Sequence, residues 1–152
     1  MSRSNWRFWC WPGELRKCGL LGMNRRNLEY LCGCNPRRCY PRVDDKLLTK
    51  QICLERGIRV PDTYAVVERN GDVARFPSLV SGKPEFVIKP AKGAEGWGIF
   101  VIASHDGRRF TTSSGHELMA AEVCYHLSTI LSGLYSLGGQ PDRAIIEQRI
   151  IR

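Results

Sequence analysis

Phe86-Val87-Ile88-Lys89-Pro90-Ala91-Lys92-Gly93-Ala94-Glu95-Gly96-Trp97-Gly98 decides how the rest of the chain is read. A short apolar run ends in a lysine, a loop with three glycines follows, and residues 99–103 open a second apolar run. The pattern predicts two strands joined by a glycine-bearing loop. Glycines let backbone N–H groups approach phosphate oxygens without interference from a Cβ. A lysine at the strand end adds a compact positive charge against the same oxygens. This is not a Walker loop, because no Gly-Lys-Ser/Thr follows and the loop runs into a strand rather than a helix. It is not a dinucleotide fingerprint for the same reason. Hairpins also carry glycines for turn geometry alone, so the loop gains meaning only from its surroundings.

Downstream, Asp106-Gly107 is a turn into a strand at 109–112, and residues 116–135 read as an amphipathic helix. Leu118, Ala121, Val123, Leu127, Ile130, Leu131 and Leu134 offer its apolar surface. Gly138 to Asp142 form a loop, and residues 144–150 form a closing strand. Upstream, Asp44 is placed to cap a helix that buries Leu47, Leu48, Ile52 and Leu54 and ends at Gly57. Pro61 precedes a strand at 63–68, and Asn70-Gly71 predicts a hairpin into a strand at 73–76. The two prolines within 35–41 predict an extended or turning segment, and Pro12 starts a short helix stopped by Gly19. The expected fold is α/β. A lead-in spans residues 1–22, an N-terminal lobe 23–82, and a smaller lobe 83–152.

The 152 residues are 43% hydrophobic and 25% charged, a globular rather than disordered composition. No apolar run reaches the roughly 18 residues of a membrane helix, and the N-terminus lacks the apolar core of a signal peptide. A cytoplasmic location follows as the expectation. Seven cysteines cannot all pair within one chain, so reduced thiols are expected. Cys32, Cys34, Cys39 and Cys53 lack the paired spacing of a zinc site, and small apolar filler is their expected role. The net charge of +8 favours an anionic partner, and Arg25, Arg26, Arg37, Arg38, Arg42, Lys46 and Lys50 concentrate it in the first third. His105, His116 and His126 show no base–nucleophile spacing and are assigned structural roles.

The order of landmarks matters more than any one of them. Asp45-Lys46 opens a helix ending before Gly57-Ile58-Arg59-Val60-Pro61, the strand with Lys89 precedes the glycine loop, and Ile145-Ile146-Glu147-Gln148-Arg149-Ile150 closes the chain. This order resembles the ATP-grasp superfamily, whose members activate a carboxylate as an acyl phosphate and pass it to an amine. Leu21 to Asn27, Tyr40 to Lys46 and Ile130 to Asp142 look most like RimK-like alpha-L-glutamate ligase-related proteins. The resemblance implies ATP and Mg²⁺ as cofactors, and a carboxylate and a glutamate-like amine as substrates. It implies that Lys46 and Lys89 contact ATP phosphates and that the backbone of Gly93, Gly96 and Gly98 covers them. Glu147 would meet the adenine amino group, and the backbone near Arg149 and Ile150 would meet the adenine edge.

Two departures accompany the resemblance. Glu95 and Trp97 stand where related loops usually carry small or polar residues. The metal ligands of the superfamily come after the adenine strand, and nothing follows Arg152 in this sequence. The expectation is a chain without catalytic or metal-binding residues of its own, inactive alone. The competing reading is a basic module that binds nucleic acid through Trp6, Trp9, Trp11 and Tyr40 interleaved with arginines. A regulatory nucleotide-binding fragment is the third reading.

Overall fold

The computed structural model describes residues 10–151. Trp6, Trp9 and Arg152 lie outside them. By backbone proximity the chain divides into Met1–Tyr40 and Pro41–Arg152.

In the first unit, helix α1 (Pro12–Lys17) begins with proline, whose missing N–H costs nothing at that position. The amide of Trp11 donates to the Glu14 carboxylate at 3.4 Å. Helical turns follow at α2 (Met23–Arg25), a π-helical segment Arg26–Leu31, α3 (Cys32–Cys34) and a 3₁₀ turn Arg37–Cys39. The segment 35–41 thus turns through a 3₁₀ helix, the turning alternative that its two prolines allow. Cys32 and Cys34 are exposed, which overturns their reading as apolar filler. No described residue of this unit is buried.

The second unit holds one six-stranded sheet, with every neighbouring pair antiparallel. Its strands are β1 (Thr63–Val67), β2 (Phe86–Pro90), β3 (Phe100–His105), β4 (Arg109–Thr112), β5 (Glu117–Met119) and β6 (Ala144–Glu147), in the spatial order β1-β6-β2-β3-β4-β5. The last strand therefore lies between the first two, and β1 shares a sheet with every strand that follows it.

One face of this sheet carries the core. Strand side chains alternate, so Phe86 and Ile88 of β2 point to the same side as Ile102 of β3 and Ile146 of β6, and all four are fully buried. Helix α8 (Ala120–Leu131) covers them with Val123, His126, Leu127, Ile130 and Leu131, a stripe at helical spacing. Residues 117–119, expected in this helix, pair with β4 instead. The helix starts at Ala120, where Glu122 accepts the Met119 amide at 2.7 Å. Ala121 and Leu134 are exposed, contrary to their assignment to the apolar surface.

Asn70-Gly71 does not form a hairpin. It opens the helical turn α6 (Asn70–Val73), followed by α7 (Phe76–Leu79). Val73, Phe76 and Val80 are the buried residues of this stretch, at helical spacing that outweighs the local turn signal. Phe76 packs on Phe86 and Phe110 at centroid distances of 6.0 and 5.5 Å. Helix α4 (Pro41–Asp44) runs up to Asp45, and Asp45, not Asp44, caps α5 (Lys46–Glu55) by accepting the Leu47 amide at 3.0 Å.

After α8 the chain turns at Gly133, whose φ is +86°. A Cβ there would stand 2.3 Å from the Gln140 carbonyl oxygen. Gly133→Ala is therefore expected to destabilise the protein by more than about 1 kcal/mol, read as a lower urea midpoint at unchanged slope.

Candidate functional site

The sheet face opposite the core is where alternation places charge. Val87 and Lys89 of β2 project there, as do Ile145 and Glu147 of β6, because Lys89 stands opposite Ile145 and Val87 opposite Glu147 in the ladder. Helix α5 brings Lys46 and Lys50 to the same site, one turn apart. Glu147 is the centre. Its Oε2 accepts from Lys50 Nζ at 2.7 Å, and its Oε1 pairs with Lys89 Nζ. The Glu147 side chain is 6% exposed, against 12% for Lys50 and 20% for Lys89. A carboxylate this deep is tolerable only when paired. Lys50 also donates to Thr63 Oγ1 at 2.7 Å, which ties it to β1.

Lys46 points elsewhere, donating to the carbonyl of Gly93 at the start of the glycine loop. Burial first, and then the nearby charge of Lys89, pull its ammonium below the ordinary value of 10.5. Lys50 and Lys89 thus hold Glu147 while Lys46 stands beside them at the loop; with Arg143 these cations face Glu147, Asp45 and Asp142, which leaves a small excess of positive charge. Lys50 is a member that the motif reading did not assign to the site. Its spacing of four residues from Lys46 on a helix was the available signal.

The base of the loop is held firmly. The Lys46 amide donates to the Ala91 carbonyl at 2.9 Å, and the Ala91 amide to the Arg143 carbonyl at 2.9 Å. The buried Asp142 accepts the Lys92 amide at 2.8 Å. Arg143 reaches across to the capping Asp45 at 2.6 Å, joining the start of α5 to the start of β6. The Leu137 amide donates to the Lys92 carbonyl at 3.1 Å. The exit is held as well. Gly98 (φ +73°) lies against the Tyr135 ring, where a Cβ would come within 2.6 Å, so no larger residue fits. Its carbonyl bonds His126 Nε2 at 2.9 Å, and the His126 ring stacks on Phe100 at 3.7 Å.

Between these anchors Glu95, Gly96 and Trp97 are exposed. Glu95 has a φ of 56°, a left-handed conformation that costs a non-glycine residue roughly 1–2 kcal/mol. Trp97 is 66% exposed and faces a cleft whose far side is formed by residues 134–137.

The structure therefore brings Lys46, Lys89, Gly93 and Glu147 together. Gly96 stands at the exposed tip, and Gly98 at the anchored exit. The Arg149 side chain turns to Glu85 at 3.1 Å, and the side chain of Ile150 is exposed. Among the described residues no three His, Cys, Asp or Glu side chains are grouped to hold a metal ion. Asp45, Asp142 and Glu147 are each engaged by a cation or by backbone amides. These residues do not fit a magnesium ion, and no metal-dependent step is assigned to them. Among the described residues no helix is long and apolar enough to cross a membrane.

Residues 25–152 match the protein family described as sugar-transfer associated ATP-grasp. Among solved structures, the chain is similar to the D-alanine-D-alanine ligase of Helicobacter pylori, with 21% identity and a TM-score of 0.49. The similarity covers 72% of this chain and 26% of that one, so the chain spans about a quarter of the ligase's length. No curated protein matches it.

Two outcomes follow from the geometry. Glu147→Ala strands two partly buried lysines and should cost about 3 kcal/mol in urea denaturation; adding Lys50→Met should cost less than the sum of the single changes. His126 carries the second. Burial lowers its pKa below the ordinary 6.5, with the Gly98 carbonyl opposing. Between the lowered value and 6.5 the unfolded chain holds a proton that the folded chain lacks, so stability rises with pH in that window and is lost as pH falls through it. Melting temperatures between about pH 7 and pH 5 should show this loss, and His126→Gln should flatten it.

Proposed function

The chain belongs to the sugar-transfer associated ATP-grasp family, and from that premise we propose that it carries the phosphate- and adenine-binding part of an ATP-dependent carboxylate–amine ligase. The observation that supports this most is the convergence of Lys46, Lys50 and Lys89 beside the anchored start of a glycine loop. Lys46, Lys50, Lys89 and Arg143 outnumber the nearby Glu147, Asp45 and Asp142, and a polyphosphate neutralises the excess positive charge. Lys46 and Lys89 are read as the phosphate contacts. The backbone of Gly93, Gly96 and Gly98 covers the phosphates, with the strained tip free to shift. Glu147 faces the adenine amino group, and the backbone at Arg149 and Ile150 meets the base edge.

The chemistry in this reading is acyl activation. A carboxylate oxygen attacks the terminal phosphorus of ATP and ADP leaves; an amine then displaces phosphate from the acyl phosphate to form the amide. Magnesium bound with the nucleotide would neutralise charge on the phosphates. The similarity of Leu21 to Asn27 and Ile130 to Asp142 to RimK-like glutamate ligase-related sequences supports a glutamate-like amine. ATP as substrate fits a cytoplasmic location.

Calorimetric titration of the purified chain with ATP tests the assignment. Saturable binding is expected, and Lys89→Ala should weaken it at least about tenfold, the loss expected of one charged hydrogen bond. ATP binding that is unchanged in Lys89→Ala would remove Lys89 from the site.

A further inference from the structure

Glu147 is held by two lysines that differ in how they are held themselves. Lys89 contacts Oε1 and comes from the strand that leads into the glycine loop. Lys50 contacts Oε2, projects from the second turn of α5, and is fastened a second time to Thr63 Oγ1. The two contacts use different carboxylate oxygens, so breaking one leaves the other intact. Lys50 is also the more enclosed of the two.

We propose that Lys50 is a positioning residue that keeps Glu147 paired and oriented, so that Lys89 can exchange Glu147 for a phosphate of an incoming nucleotide. This inference rests on the proposed ATP site. With Lys50 in place, a nucleotide that captures Lys89 leaves Glu147 with its second cation. Without Lys50, the same step leaves the buried carboxylate with no cation, only the neutral adenine amino group to face, which opposes binding. Lys89 stands close enough for its charge to be felt at Lys46, so an anion arriving between them relieves like-charge repulsion at the same moment. Lys50 thereby acts on nucleotide affinity through Glu147 rather than by touching the nucleotide.

A double-mutant cycle on the full chain separates these roles, with ATP affinity measured by calorimetry for wild type, Lys50→Met, Glu147→Gln and the double variant. Thermal unfolding verifies that each is folded, and Lys50→Gln carries the same expectation where the methionine variant does not fold. Lys50→Met should weaken ATP at least about tenfold in the wild-type background and change it less than about twofold in Glu147→Gln, whose neutral amide no longer needs a cation. Lys50→Arg should recover most of the affinity. An equal loss in both backgrounds would show direct contact or a general structural role and overturn the inference. So would an unchanged affinity in Lys50→Met. If wild type itself does not bind ATP, the proposed site falls and the inference with it, whereas wild-type binding without coupling between Lys50 and Glu147 overturns the inference alone.

Discussion

A carboxylate buried on a sheet face sets the terms for everything around it. Glu147 is nearly inaccessible, and an ion taken out of water without a partner costs several kcal/mol. It is tolerated because β2 and α5 each deliver a lysine to it, from positions 58 and 97 residues away in the chain. The arrangement therefore depends on α5 being docked against the sheet. That docking is secured by the Arg143 guanidinium on the Asp45 carboxylate and by the Lys46 amide on the Ala91 carbonyl, a side-chain ion pair beside a backbone hydrogen bond.

The sheet divides its work by alternation. Phe86 and Ile88 belong to the core, while Val87 and Lys89, their neighbours in sequence, belong to the charged face. A one-residue slip of β2 against β6 would put Lys89 among Phe76, Val123 and Leu127, so the apolar face enforces the register that aligns Lys89 with Glu147. Packing on one side of the sheet thus fixes chemistry on the other. The glycine loop shows the same economy. Both of its ends are tied to the segment after α8, while the tip of Glu95, Gly96 and Trp97 remains exposed. A loop fixed at its ends and exposed at its tip has room to close over a ligand without disturbing the core.

The landmarks legible in the sequence were those written in local chemistry. The apolar run before Lys89, the glycine loop, the helix carrying Lys46 and the closing strand all occupy the expected order, and the family match covers them. Local chemistry also misled. Asn70-Gly71 has a strong turn preference, yet Val73, Phe76 and Val80 gain more by burial in two helical turns. Leu118 and its neighbours follow a helical pattern but pair with β4, because the sheet edge satisfies their backbone.

The sequence by itself determined the α/β order of elements and an excess of positive charge. It also placed a lysine at the end of a buried strand, since periodicity and turn chemistry are properties of neighbouring residues. Only the tertiary structure decided that Lys50 belongs with Glu147, that Glu147 is buried rather than outward, and that His126 secures the loop through Gly98. Those facts depend on which strands lie side by side. The placement of β6 between β1 and β2 joins the end of the chain to its middle, and short-range patterns carry no record of that pairing.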